Sequence, residues 1–241
     1  MPKGFVYISD FFADHVLGGG ELNDKELINL LRENDHSVIR KQSHLITDEF
    51  IERNKDKLFI VSNFINLAES CKTKLTETKY IIYEHDHKYL KSRNPATYPG
   101  FKAPHKEIIN YTFYKEAIAV VCQSSFHKDI VISNTELTNV ISIGGNLWSL
   151  EQLDMLRTLS AKDKTKRCSI MDSQIEHKNT AGSIKYCNSK EHEYELIPSS
   201  GYEEFLRRLS ANDTLVFFPK TPETLSRIVV EARMMQINQK R

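Results

Sequence analysis

The fold is decided by residues 214–235, which read TLVFFPKTPETLSRIVVEARMM. The apolar run at the start predicts a buried strand, and Pro219 and Pro222 bracket a tight turn after it. Thr221 suits the N-cap of a helix and Pro222 its first turn, so the pattern predicts a helix over 222–235. A strand, a short loop and a helix in this order form the repeating unit of a parallel α/β sheet.

The predicted helix carries two carboxylates. Glu223 falls in its first turn and Glu231 two turns later, about 12 Å further along the axis at 1.5 Å per residue. A helix N-terminus has free N–H groups and a partial positive charge, which attract phosphate. The two acids can therefore hold separate ends of an elongated polar ligand, or they can be ordinary acids of an amphipathic helix. Periodicity alone favours the second interpretation.

Short apolar runs and helical stretches alternate along the whole chain. Predicted strands lie at 5–8, 37–40, 58–61, 80–83, 117–122, 140–143, 168–171, 194–197 and 214–218. Predicted helices lie at 21–33, 48–54, 105–115, 124–133, 150–159, 180–188, 202–209 and 222–235. Strands that are apolar throughout indicate a parallel sheet covered on both faces.

The alternation pauses at Gly144-Gly145 and restarts after a polar run at 160–166. We therefore predict an α/β fold with two Rossmann-like domains that face a cleft. Residues 1–148 would form the N-terminal, acceptor-side domain, and residues 149–241 the C-terminal, donor-side domain. The second domain has only three predicted strands, so we expect it to be short or truncated.

The composition is that of a globular protein, with 40% hydrophobic and 27% charged residues among 241. The formal net charge is +1, so no nucleic-acid partner is expected. A local basic patch is still compatible with this net charge. No apolar run approaches the roughly 18 residues of a transmembrane helix, and Asp10 interrupts any signal-peptide core. The four cysteines are scattered, which favours reduced thiols and a cytoplasmic location over disulfides or zinc.

Three glycines, Gly18, Gly19 and Gly20, stand between the first strand and the first helix. Glycine there lets the backbone approach a ligand closely and directs helix N–H groups toward an anion. The stretch is not a dinucleotide fingerprint, because Asn23 occupies the position of its third glycine. No Gly-Lys-Ser/Thr follows, so it is not a Walker A loop either, and a flexible turn is the alternative.

Four ionisable residues, Glu84-His85-Asp86-His87, follow the strand at 80–83. Such residues just past a buried strand suit the rim of an active site. They can also form a loop cluster whose members hydrogen-bond to one another, or His85 and His87 can bind the same metal ion. The loop that follows, at 92–104, contains three prolines, and its aromatic side chains can shape an acceptor site or simply pack.

The chain resembles the retaining, GT-B-fold glycosyltransferases of family 4 over about residues 4–235. The resemblance rests on Glu-x7-Glu within PETLSRIVVEA, on Gly-Gly-x-Glu at the first helix, on the His-Asp after the fourth strand, and on MDS…HKNTA. It implies that Glu223 contacts the donor sugar and Glu231 the nucleotide ribose. We also predict Thr224 and Ser226, which lie between these two acids, to be donor-binding residues.

The same resemblance assigns the remaining site residues. His85 would contact the sugar near the transferring carbon, and with Glu223 it forms the predicted catalytic pair. Gly19 and Gly20 would border the donor phosphates, and Lys178 would clamp the diphosphate. The family places an arginine where this chain has Ser173, so one cationic clamp is missing; Arg227 or Arg93 are the candidates to replace it.

The implied reaction transfers a sugar from a nucleotide-sugar donor to a hydroxyl acceptor with retained anomeric configuration, and needs neither a metal nor a cofactor. Two alternatives stay open. Ser173 and the short second domain favour a non-catalytic module that binds a nucleotide or sugar. Glu84 and Asp86 can stand in for the Asp-x-Asp motif of metal-dependent GT-A glycosyltransferases.

Overall fold

The structure is a computed structural model that describes residues 4–240. Residues 1–3 and 241, the outermost positions of the two predicted domains, lie outside the described residues. The chain divides into two compact units, the first ending at Leu147 and the second beginning at Trp148.

The first unit contains a six-stranded sheet in the order β2-β1-β3-β4-β5-β6, and all its strand pairs are parallel. Its strands are β1 (Phe5–Ser9), β2 (Val38–Gln42), β3 (Leu58–Val61), β4 (Tyr80–Glu84), β5 (Val120–Cys122) and β6 (Val140–Ser142). Its helices are α1 (Gly19–Glu33), α2 (Asp48–Arg53), α3 (Glu69–Leu75), α4 (Tyr111–Lys115) and α5 (Ser125–Thr135). The sequence pattern did not predict α3.

Both faces of this sheet are covered, which explains the apolar runs in its inner strands. Val6 and Ile8 of β1 belong to one buried cluster with Phe59, whereas Tyr7 belongs to a second cluster with Ile28 of α1. Adjacent strand residues point to opposite faces, so two separate cores require a continuous run.

The second unit contains a four-stranded sheet in the order β10-β9-β7-β8, again with parallel strand pairs. Its strands are β7 (Thr165–Met171), β8 (Tyr194–Ile197), β9 (Asn212–Val216) and β10 (Asn238–Lys240). Its helices are α6 (Leu150–Ser160), α7 (Thr180–Ser189), α8 (Tyr202–Ser210) and α9 (Arg227–Met234). The expectation of three strands is wrong, because β10 is a polar edge strand held by backbone pairing and has no apolar signal.

The helix predicted over 222–235 is wrong at its start. The helix α9 begins at Arg227, and the segment before it forms a loop that contains Glu223. Thr221 therefore caps no helix, and the 12 Å helical spacing between the two acids does not apply. Burial of Arg227 next to Glu231, its partner four residues later, outweighs the local capping signal.

The single helix predicted over 105–115 is also wrong. His105–Glu107 forms a short 3₁₀ turn and only α4 is α-helical. Asn110 separates them in the left-handed conformation, with φ of 55°. Asparagine tolerates this conformation, and the Asn110 side chain accepts a hydrogen bond from Lys72 Nζ at 3.0 Å, a long-range contact that periodicity cannot predict.

Among residues 4–240, no helix has both the length and the apolar character needed to cross a membrane.

Candidate functional site

The order of the strands identifies one position in each sheet where a ligand is expected. In the first sheet the chain passes from β1 to β2 on one side and then to β3 on the other. In the second sheet it passes from β7 to β8 and then to β9 on the opposite side. Loops diverge at such switch points and leave a crevice at the carboxyl ends of the strands.

At the first switch point Asp24 of α1 gathers several hydrogen bonds. It is 1% exposed and accepts from the Tyr7 hydroxyl at 2.8 Å and the Ser62 hydroxyl at 2.5 Å. The Ser9 hydroxyl lies further away, at 3.4 Å. Nε2 of His85 lies 2.8 Å from Oδ1 of Asp24. Asp24 thus joins α1, β1 and the end of β3 to the predicted catalytic histidine.

Sequence reasoning missed Asp24. Its signal was an acid on the face of α1 that also carries the buried Ile28, four residues later. A polar residue on such a face needs partners, and only the folded sheet shows that these are Tyr7 in β1, Ser62 after β3 and His85 after β4.

His85 lies in a tight polar environment. Burial works against its charged form, but the Asp24 carboxylate outweighs burial and raises the pKa of His85. The Nδ1 atom is buried and has no hydrogen-bond partner within residues 4–240. A Cβ placed on Gly20 would lie 3.5 Å from Cγ of His85, so the structure brings the start of α1, with Gly19 and Gly20, next to this ring.

Glu84 and Lys88 form a buried ion pair beside His85. Glu84 is fully buried and lies 3.3 Å from Nζ of Lys88, whose side chain is 2% exposed. The Tyr114 hydroxyl also donates to Glu84. Burial alone would raise the pKa of Glu84, but Lys88 holds that pKa well below its usual range. Burial would lower the pKa of Lys88, but Asp86 and Glu84 raise it.

These contacts bear on the alternative of a metal site. Asp86 pairs with Lys88 and, at 3.2 Å, with Arg93, so cations already hold both carboxylates that a metal would need. Nδ1 of His87 lies 3.0 Å from the Tyr89 hydroxyl. Within the described residues, no three His, Cys, Asp or Glu side chains are grouped to hold a metal ion.

At the second switch point Lys178 meets Glu223. Lys178 ends a turn after β7 and Glu223 lies in the loop after β9, and Nζ and Oε1 are 2.9 Å apart. Their side chains are 25% and 20% exposed, so a ligand can reach both. The Asn179 side chain donates to the carbonyl of Phe218 at 2.8 Å, which ties the two loops together.

Three further predicted residues lie near this pair in the chain. Thr224 and Ser226 are half-buried in the Glu223 loop, and Ser226 directly precedes α9. Ser173, at the position of the missing arginine, accepts a hydrogen bond from the N–H of Ile175 at 3.2 Å and helps to form the turn after β7.

Glu231 is placed differently from Glu223. It is 3% exposed, and its Oε1 accepts from Trp148 Nε1 at 3.0 Å, the Tyr202 hydroxyl at 2.6 Å and Arg227 Nε at 2.8 Å. The Arg227 guanidinium also lies 4.8 Å from the Trp148 ring centroid. The contact of Glu231 with a ribose stays a prediction, and its oxygen is already shared by three donors.

The candidates for replacing the missing arginine are both engaged. Arg227 is buried against Glu231, and Arg93 pairs with Asp86. Of the cations predicted for the donor site, Lys178 is therefore the one that the second switch point presents to a ligand.

Tyr202→Phe tests the cluster around Glu231. The change removes only a hydroxyl that donates to a buried carboxylate, so we expect a loss of about 2 kcal/mol in the free energy of unfolding. Urea denaturation followed by fluorescence measures it, because Trp148 is the only tryptophan and lies in this cluster. Tyr194→Phe, on β8, is the control and should cost clearly less; equal costs would contradict the assigned role of Tyr202.

A scan against protein-family models and a search of curated proteins find no match. Solved structures do match. An alpha-glucosyltransferase in complex with UDP and a 13-mer DNA containing a HMU base has a TM-score of 0.59 and 10% identity, over 98% of this chain and 78% of that one. HepE of Anabaena, with UDP and glucose, has a TM-score of 0.55 and 10% identity, over 99% and 80%.

A glycosyltransferase from Rickettsia africae has a TM-score of 0.52 and 13% identity, over 98% of this chain and 78% of that one. At these identities the likeness establishes the fold alone. The predicted α/β fold of two Rossmann-like domains, of the GT-B type, is confirmed. Membership of family 4 stays a prediction.

Proposed function

We propose that the protein is a retaining glycosyltransferase, resembling family 4, that moves a sugar from a nucleotide-sugar donor to a hydroxyl acceptor. The observation that carries the proposal is the Lys178–Glu223 pair at the switch point of the second sheet. Similar structures hold UDP, so a UDP-sugar is the first donor to test.

The transfer breaks the bond between the anomeric carbon and the diphosphate oxygen and forms a bond from the acceptor oxygen to that carbon. The acceptor hydroxyl loses its proton, and the nucleoside diphosphate leaves with additional negative charge. Lys178 can stabilise this charge, because a fixed cation near the leaving group lowers the energy of the transition state. Glu223, released from Lys178, can then accept hydrogen bonds from the sugar hydroxyls.

Each unit, taken by itself, offers a further group that can bind the donor. Helix α9 begins at Arg227, so its free N–H groups, rather than those of a helix at 222, would face the phosphates. In the first unit, protonated His85 would donate from Nδ1 to a sugar hydroxyl, because Asp24 occupies its other nitrogen. Gly19 and Gly20 would let the backbone approach the donor. In this scheme Lys178 supplies the positive charge, so the reaction needs no metal.

Lys178→Ala should lower kcat for UDP-sugar turnover about 10²-fold, because the leaving diphosphate loses its cation. Release of UDP measures turnover. Lys178→Arg should keep part of the activity, since the charge remains. Lys220→Ala is the matched control: Lys220 stands in the same loop as Glu223, pairs with Glu176 at 3.2 Å, and should be dispensable. Equal losses at both lysines would contradict the proposed role.

A non-catalytic binding module is the second candidate, because Ser173 leaves a single cation at the donor site. Thermal shifts with nucleoside diphosphates and nucleotide sugars, followed by turnover assays, separate the two. At 100 times its dissociation constant a ligand stabilises by about 2.7 kcal/mol. The enzyme should turn over a donor, and Glu223→Ala should abolish turnover with the fold intact. Binding without turnover would make the protein a binding module.

A further inference from the structure

The segment at residues 88–106, here called the basic loop, has an unusual charge pattern. It contains no Asp or Glu, although the whole chain is nearly neutral at +1. The residues in it that can carry a charge at neutral or mildly acidic pH are all basic: Lys88, Lys91, Arg93, Lys102, His105 and Lys106. It follows the carboxyl end of β4 and begins three residues after His85.

The basic loop has a defined conformation. An antiparallel bridge between Leu90 and Ile108 closes its base. The side chain of Asn134 on α5 donates to the Phe101 carbonyl and accepts from the Ala103 N–H, each at 2.8 Å. Phe101 has φ of 61°, a left-handed conformation that a bulky residue adopts only when its surroundings enforce it.

Lys88 at the start of the loop is buried and paired with Glu84 and Asp86, but the three other lysines of the loop differ. Lys91, Lys102 and Lys106 are exposed, and within the described part of the chain no carboxylate lies within 4.0 Å of their ammonium groups. Arg93 differs, because it pairs with Asp86. Holding like charges in one structured loop costs self-repulsion, which binding of a polyanion would relieve.

An aromatic surface accompanies these charges. Phe126, in the first turn of α5, is 50% exposed and contacts Phe101 edge to face, with ring centroids 5.8 Å apart. Exposed aromatic faces beside lysines are the combination that holds unstacked bases and their phosphates. A neutral polysaccharide offers no phosphate to these lysines, whereas the cations and the aromatic ring together match the phosphate and the base of a nucleotide.

We propose that the basic loop binds a nucleic acid, and that the acceptor hydroxyl belongs to this nucleic acid. The second part rests on the proposed function. In the transfer, the hydroxyl oxygen of the nucleic acid bonds to the anomeric carbon, its proton is released, and the nucleoside diphosphate leaves. The phosphate contacts position the strand, and recognition of its sequence depends on other residues.

The test is fluorescence anisotropy of the full-length protein with labelled single-stranded DNA, RNA of the same sequence, and duplex DNA. Affinity for at least one of them should fall as salt rises from about 50 to about 200 mM. The triple change Lys91→Glu, Lys102→Glu and Lys106→Glu should weaken binding at least about tenfold. It should also flatten the logarithmic salt slope by about 2, at roughly 0.7 per phosphate contact on single strands.

The matched control reverses the charge of three exposed lysines that precede β3, β4 and β5, at the amino ends of these strands. The changes are Lys55→Glu, Lys79→Glu and Lys115→Glu. This control changes the net charge equally and should alter affinity less than about threefold. Equal losses of affinity in both triple variants would mean that net charge alone determines binding, and would overturn the proposal. Absence of oligonucleotide binding at low salt, or binding of hyaluronate in its place, would also overturn it.

UDP binding, followed by thermal shift in the same variants, separates this inference from the proposed function. It should be unchanged in both triple variants. UDP binding without oligonucleotide binding overturns the role of the loop alone. Oligonucleotide binding without UDP binding supports the loop and counts against the proposed glycosyltransferase. Comparison of the DNA and RNA affinities then identifies the kind of strand.

Discussion

Asp24→Asn is expected to lower kcat about 10³-fold and to move the alkaline limb of the pH profile to lower pH. Asp24 raises the pKa of His85, so in the native protein His85 stays protonated to higher pH and can donate from Nδ1. Without the Asp24 carboxylate, burial and the positive charge of Lys88 both disfavour protonated His85, and Glu84 alone favours it. The pKa of His85 should then fall.

A pH series of donor turnover measures this shift. Tyr7→Phe is the control, because it removes one hydrogen bond to Asp24 and leaves the carboxylate beside His85. It should change kcat only slightly and leave the pH limb in place. An unmoved limb in Asp24→Asn would show that Asp24 acts on folding and not through the protonation of His85.

The same pair makes a prediction for stability. The folded pKa of His85 is raised, so its contribution is fully present below the unfolded value of about 6.5 and is lost as pH rises through the folded pKa. The native protein should lose free energy of unfolding over that interval. Asp24→Asn should remove this dependence, which urea denaturation at several pH values would measure.

Lys88→Met is expected to destabilise the protein by about 3–5 kcal/mol, because it leaves the fully buried Glu84 without its cation. Adding Glu84→Gln should recover part of the loss, since the uncompensated charge disappears. Lys55→Met is the matched control: Lys55 pairs with Glu52 on the surface, where an ion pair contributes about 0–1 kcal/mol. Urea denaturation measures all three.

The pH dependence of this pair has a defined sign. The pKa of Glu84 is lowered, so its contribution is complete above the unfolded value of about 4.3 and is lost as pH falls below it. Lys88→Met should therefore remove the part of the acid-induced loss below about pH 4 that the Glu84–Lys88 pair contributes. A variant as acid-sensitive as the native protein would contradict this account.

Sequence patterns predicted the strands better than the helix boundaries. Continuous apolar runs located β3 and β4 because a strand buried on both faces needs apolar residues at nearly every position. Helix starts depend on competing local and tertiary contacts. The α9 boundary moved from 222 to Arg227 because a buried ion pair outweighs an N-cap.

For the site, position after a strand pointed only to the residues around His85, whereas the roles of Lys178 and Glu223 came from the family resemblance. Each of the three follows the carboxyl end of a strand in a parallel sheet. Asp24 had no such position, because it lies within a helix. Its role depends on Tyr7, Ser62 and His85 meeting in space.

By itself, the sequence determined an α/β chain with two sets of parallel strands, since periodicity and apolar runs are local properties. Only the tertiary structure decided which acids are available to a ligand. Glu223 lies partly exposed in a loop against Lys178, whereas Glu231 is buried under three donors. The reason is physical: the availability of a carboxylate depends on its burial and on its partners, and distant parts of the chain supply both.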